Sequence, residues 1–161
     1  MCARGVVSLA VLLSLVLALL GPGVPAALAG ADVCPEPNND AARACFLGPS
    51  GAANGFLDTP DDVDTYRIEL PPEAMLVATL GALPADYVLR LLLADGTVRA
   101  EAIEPGLRDK VLRVDGLPPG TYYLTVSSTR GQSSSVSPYV VGVSYPASLV
   151  LSAPGVPAAP A

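Results

Sequence analysis

Residues 58–70 read DTPDDVDTYRIEL. The second half decides the type of fold. Tyr66, Ile68 and Leu70 alternate with Arg67 and Glu69, which is the period of a strand with one buried face. The first half is unusual for the approach to such a strand. Asp58, Asp61, Asp62 and Asp64 crowd together in a chain of which only 15% is charged. Their mutual repulsion opposes compaction unless something neutralises it.

Downstream, short extended runs alternate with turn residues and no helical period intervenes. Pro71-Pro72 breaks the first strand, and EAMLVATL resumes an apolar run. DYVLRLLLADGTVRAEA reads as a hairpin: Tyr87, Leu89, Leu91 and Leu93 share a face, and Asp95-Gly96 supplies the tight turn. KVLRV ends at DGLPPG, a turn by composition. GTYYLTVSS places Tyr122, Leu124 and Val126 on one side, and YVVGVSY aligns Tyr139, Val141, Val143 and Tyr145. The intervening TRGQSSSVSP reads as a polar loop, and a further strand is expected around Gly55–Leu57. Seven or eight such strands, each with one apolar face, predict an all-β fold: an antiparallel β-sandwich, jelly-roll-like.

The ends are of different material. Arg4, an uncharged apolar run from Val6 to Leu20 and the triplet Ala27-Leu28-Ala29 form the pattern of a signal peptide, residues 1–29. The apolar run is shorter than the ~20 residues that span a bilayer, so no membrane span is expected after cleavage. The domain is expected over residues 30–148, followed by a Pro/Ala-rich, disordered tail over 149–161. Secretion places the protein in the extracellular space or cell envelope. There the two remaining cysteines, Cys34 and Cys45, most simply form one disulfide; separately buried thiols and intermolecular pairing are the alternatives. Without Arg4 the chain has fifteen acidic residues against eight cationic ones. A balance near −7 argues against nucleic acid as a partner.

The residue census removes many enzymes. With no histidine, neither a Ser-His-Asp triad nor a His-ligated zinc can be built. Paired cysteines leave no thiolate nucleophile. Lys110, the only lysine, stands at a strand start and is expected to face solvent. Paired carboxylates could still perform glycoside chemistry, but they lie in one loop with no tryptophan to line a cleft. No catalytic residue is assigned.

What remains is rich in oxygen. PEPNND supplies Glu36, Asn38, Asn39 and Asp40, and TPDDVD supplies Asp61, Asp62 and Asp64. Calcium takes six to eight oxygen ligands in a forgiving geometry, whereas magnesium demands a stricter octahedron. Asp61 and Asp64 can converge on one ion across a bend, with Glu36 and the two asparagines as the complementary half. Asx-rich turns also arise without any metal, because these side chains mimic turn hydrogen bonds. Spacing alone leaves the two readings open.

In this order, EPNND, Gly55-Phe56-Leu57, DDVDTYRIEL, GLPPGTYYLTVSS and YVVGVSY resemble the bacterial pre-peptidase C-terminal domain, over roughly Cys34 to Tyr145. The resemblance implies a jelly-roll-like sandwich that accompanies secreted peptidases and is not itself catalytic. It also implies a structural calcium ion held by Glu36, Asn38 and Asn39 with Asp61 and Asp64. Calcium-binding members often carry another acid two positions before the glutamate, where this chain has Cys34. The resulting expectation is a secreted binding module that serves substrate targeting, adhesion or an extracellular peptidase, with an extracellular protein or polysaccharide as partner. The alternative is a metal-free protein-interaction or carbohydrate-binding domain on the cell surface.

Overall fold

The structure, a computed structural model, describes residues 34–146. The expected signal peptide and tail lie outside the described residues, within which there are nine strands. These are β1 (Cys45–Phe46), β2 (Ala52–Leu57), β3 (Val63–Leu70), β4 (Ala74–Gly81), β5 (Tyr87–Leu93), β6 (Val98–Ala102), β7 (Lys110–Leu117), β8 (Gly120–Ser128) and β9 (Ser134–Ser144). One sheet has the order β1-β3-β8-β5-β6 and the other β2-β9-β4-β7. Pairing is antiparallel throughout, except that β1 runs parallel to β3. Every connection changes sheet except the β5–β6 hairpin, so the chain winds a jelly-roll-like sandwich with its core between two layers.

The alternating residues fill that core. Tyr66, Ile68 and Leu70 from β3, Leu89 and Leu91 from β5 and Leu124 and Val126 from β8 meet Leu76, Leu80, Tyr139 and Val141 from the other sheet. Each such side chain contributes about 1.5–3 kcal/mol when fully buried. Gly96 takes a positive φ of 84° in the hairpin turn, and Asp95 Oδ1 accepts from Thr97 N at 2.9 Å. Tyr145 ties the sheets together near the N-terminal arm, donating its hydroxyl to the Leu47 carbonyl at 2.7 Å.

Three details differ from the sequence expectation. β9 begins at Ser134, inside the serine-rich stretch read as a loop, because its pairing with β2 reaches back to Leu57↔Ser134. β7 runs on through Asp115-Gly116-Leu117, where a register shift opposite Ala74–Leu76 and a positive φ at Gly116 absorb an irregularity that reads as a turn. Lys110 is 2% exposed rather than facing solvent. Its position is in phase with Leu112 and Val114, which points it inward. Its ammonium donates to the carbonyls of Glu104 at 2.6 Å and Gly106 at 2.7 Å, and lies 3.8 Å from Asp86.

Candidate metal centre

β3 carries its alternation past the apolar residues. Counting back from Leu70, Ile68 and Tyr66, the next inward position is Asp64, and Asp62 follows in the same phase. Asp64 is completely buried and Asp62 nearly so. Asp61 is out of phase and exposed in the turn. Glu36 arrives from the N-terminal arm, and one carboxylate oxygen from each of Glu36, Asp62 and Asp64 lies within 4.8 Å of the others.

The arm is held on the body by several independent ties. Cys34 and Cys45 form the disulfide, and Cys45 pairs with Tyr66 on β3. The Asn38 carbonyl accepts from Thr65 N at 3.0 Å, which adds the arm to the edge of β3. The Asn38 amide nitrogens, backbone and side chain, donate to the two oxygens of Glu36 at 3.1 and 2.9 Å. Asn39 donates to Asp62 Oδ1 at 3.0 Å. Asp62 also closes its own turn, accepting from Asp58 N at 2.8 Å and Val63 N at 2.9 Å.

Around Asp64 the setting is tyrosine-rich. Tyr139 donates its hydroxyl to Asp64 Oδ2 and lies 2.8 Å from the Tyr66 hydroxyl. Tyr87 meets the Tyr139 ring edge-on, with centroids 6.0 Å apart. Gly55 leaves the room for this arrangement: a Cβ there would stand 2.6 Å from the Tyr66 hydroxyl. Asp64 Oδ1 and the Tyr87 hydroxyl are buried without a hydrogen-bond partner. An unsatisfied buried polar atom costs roughly 1–3 kcal/mol, and more for a charged group.

The electrostatics follow from this geometry. Burial pushes the Asp64 carboxyl up to about 8; Glu36 and Asp62 add to the rise, and the Tyr139 hydrogen bond opposes it. Burial also raises Tyr87, with the charges of Asp64 and Asp62 adding to the effect. Two ionised carboxylates with oxygens no more than 4.8 Å apart repel by at least about 3 kcal/mol at an effective dielectric of ~20. A divalent cation would reverse the sign of that interaction. The all-oxygen donor set suits a hard ion, and Asp64 Oδ1 is the kind of orphaned atom such an ion would satisfy. The residues present fit calcium.

Of the residues expected from the sequence, the structure brings Glu36 and Asp64 together. Asn38 and Asn39 stand beside them, with side-chain amides engaged in holding Glu36 and Asp62. Asp61 lies exposed in the turn outside this carboxylate group, and Asp62 lies within it. The signal that finds Asp62 is the same period of two that located the strand, extended four residues backward from Tyr66.

No protein-family model matches the chain, and no curated protein matches it. Among solved structures, the fold is similar to the pre-peptidase C-terminal domain of a collagenase from Bacillus anthracis. That match has 18% identity and a TM-score of 0.50, covering 62% of this chain and 93% of that one. The fold is also similar to PliG of Aeromonas hydrophila, a periplasmic inhibitor of g-type lysozyme. There the identity is 13% and the TM-score 0.50, over 63% of this chain and 96% of that one. At these identities the likeness establishes a shared fold, and the fold is that of the domain the sequence resembles.

Proposed function

We propose that this chain is a secreted, non-catalytic β-sandwich module in which Glu36, Asp62 and Asp64 hold a structural calcium ion. One observation carries the reading: the buried Asp64 carboxylate has one oxygen, Oδ1, without a hydrogen-bond partner and lies beside two further carboxylates. The ion would supply the positive charge the site lacks and join the N-terminal arm to the start of β3. Asn38 and Asn39 orient the donors, and Tyr139 fixes the second oxygen of Asp64. Export is supported by the Cys34–Cys45 disulfide, which persists in oxidising compartments. A binding role, in adhesion, substrate targeting or support of an extracellular peptidase, is supported by the fold shared with a collagenase-borne domain and a lysozyme inhibitor. The partner class is an extracellular protein or polysaccharide.

Terbium tests the site directly, because it substitutes for calcium and emits when nearby tyrosines are excited. Tyr66, Tyr87 and Tyr139 make the site its own sensitiser. Tyrosine-excited terbium emission that calcium displaces, and that Asp64→Asn removes, is the expected result. Emission no stronger than that of Asp64→Asn contradicts it.

A further inference from the structure

The outer face of the five-stranded sheet carries a groove of about 390 Å³ that the metal centre does not use. This volume falls within the range of small-ligand sites, roughly 300–1,000 Å³. Its floor is a set of cross-strand neighbours. Thr65, Thr125 and Arg90 form one row, and Tyr123 and Leu92 the next. One wall is the N-terminal arm at Asn39, Asp40 and Ala41, and the far end is the β5–β6 hairpin at Ala94 and Gly96.

We propose that this groove binds an uncharged oligosaccharide, and that the calcium-held arm forms the wall it needs. The second half of the proposal rests on the calcium reading above. The ligand class follows from charges that are already answered inside the groove. Arg90 donates to Glu101 at 3.2 Å and to the Ser127 hydroxyl at 3.3 Å. Asp40 accepts from the backbone of Ala42 and Arg43 at 3.0 and 3.1 Å. A charged ligand would gain no unpaired opposite charge here. What the floor offers is the flat ring of Tyr123 and the carbon surface of Leu92, with the Ser127 hydroxyl beside them and the nearly buried Thr65 and Thr125 side chains beneath. Pyranose rings present that same combination, with hydroxyls at the edge and C–H bonds on the face.

A peptide fits less well, because the floor is the side-chain face of a sheet. It offers no open backbone edge for main-chain pairing of the kind extended peptides use. The row through Tyr123 continues across Arg67 to Phe46, which is half exposed and lies under the Arg67 guanidinium at 5.2 Å. Two strand spacings separate Tyr123 from Phe46, about 10 Å. That spacing suits a chain of sugars better than a single residue. The link to the ion runs through Asn39, which lines the groove while bonded to Asp62.

The experiment is a titration of the ¹⁵N-labelled full chain with cellohexaose, chitohexaose and maltohexaose, in calcium and again in chelator. An uncharged Ala/Gly/Ser dodecapeptide is titrated in parallel. At least one sugar is expected to shift the amides of Thr65, Arg90, Tyr123 and Ser127 in calcium, with affinity falling tenfold or more in chelator. Tyr123→Ala should weaken that binding at least tenfold. Ala41→Trp, which fills the groove from an exposed arm position without removing a core contact, should do the same. Silence with all three sugars, shifts confined to another surface, or shifts of the same amides by the peptide instead would overturn the assignment of ligand. Equal sugar affinity in calcium and chelator, in a protein that terbium shows to bind the ion, would overturn the dependence on the arm while leaving both sites intact. Sugar binding without any terbium emission would sink the calcium reading and with it the arm's dependence on the ion, while leaving the ligand assignment intact.

Discussion

Of the ionisable side chains buried among the described residues, Lys110 and Asp64 lie deepest, and they are treated in opposite ways. Lys110 is enclosed by the β6–β7 crossover, and its ammonium has two carbonyls and the Asp86 carboxylate as partners. Asp64 is buried as deeply, yet one oxygen has no partner, and Glu36 and Asp62, its acidic neighbours, share its charge sign. The chain therefore builds a complete internal counterpart for the Lys110 ammonium and, on the calcium reading proposed above, leaves the Asp64 carboxylate to be completed by an ion. A charge held by the chain itself braces the fold under all conditions. A charge completed by an ion braces it only while the ion is present.

The sharpest contrast comes from deleting each charge in turn. Lys110→Met leaves two carbonyls and Asp86 without their donor, and should destabilise by about 3–5 kcal/mol, as removal of one partner of a buried ionic pair does. Denaturant unfolding should show the same loss in calcium and in chelator. Asp64→Asn should behave differently. In chelator Asp64 already holds a proton at neutral pH, so the substitution exchanges one uncharged side chain for another of the same shape and should stay within about 1 kcal/mol. In calcium it should lose stability relative to the native chain.

Crowding of the tyrosines that frame Asp64 gives a smaller effect. Gly55→Ala would press a methyl against the Tyr66 and Tyr139 hydroxyls, and overpacking of this kind costs about 1–3 kcal/mol. Chemical denaturation measures that loss, and it should fall on calcium-bound and calcium-free protein alike.

The pH response gives the Asp64 site a signature of its own. Asp64 in the metal-free fold titrates at about 8, far above its unfolded value of 3.8. Between these values the native state holds a proton that the unfolded chain releases. This contribution is fully present below pH ~4 and is lost as pH rises toward ~8. Melting temperature in chelator should fall across that window. Calcium, which favours the ionised carboxylate, should remove the slope.

The smallest contrast lies between neighbours. Asp62→Ala removes the acceptor for Asp58 N and the partner of Asn39, and should cost about 1–2 kcal/mol. Asp61→Ala, at an exposed turn position, should stay within about 0.5 kcal/mol. Thermal melts of the pair would reverse the assignment if Asp61 proved the more costly.

Much of this architecture is legible in the chain before folding. The alternation at Tyr66-Ile68-Leu70, the Asp95-Gly96 turn and the two-cysteine count locate β3, the hairpin and the disulfide, because each rests on a local rule. Lys110 and Asp62 escaped for one shared reason. Both obey the inward phase of their strands, but charged residue types argue for the surface, and only the tertiary partners decide against that. β9 is hidden for another reason: Ser134–Ser137 have no apolar pattern of their own and are extended through pairing with β2. The groove was not legible at all, since its rows are joined only by sheet register.

The melting temperature of the full chain at pH 7.5, in excess calcium and in excess chelator, with Asp64→Asn alongside, tests the central claim most directly. A clear calcium-dependent rise that vanishes in Asp64→Asn is the expected result. Superimposable melting curves of the native chain in the two buffers would contradict it.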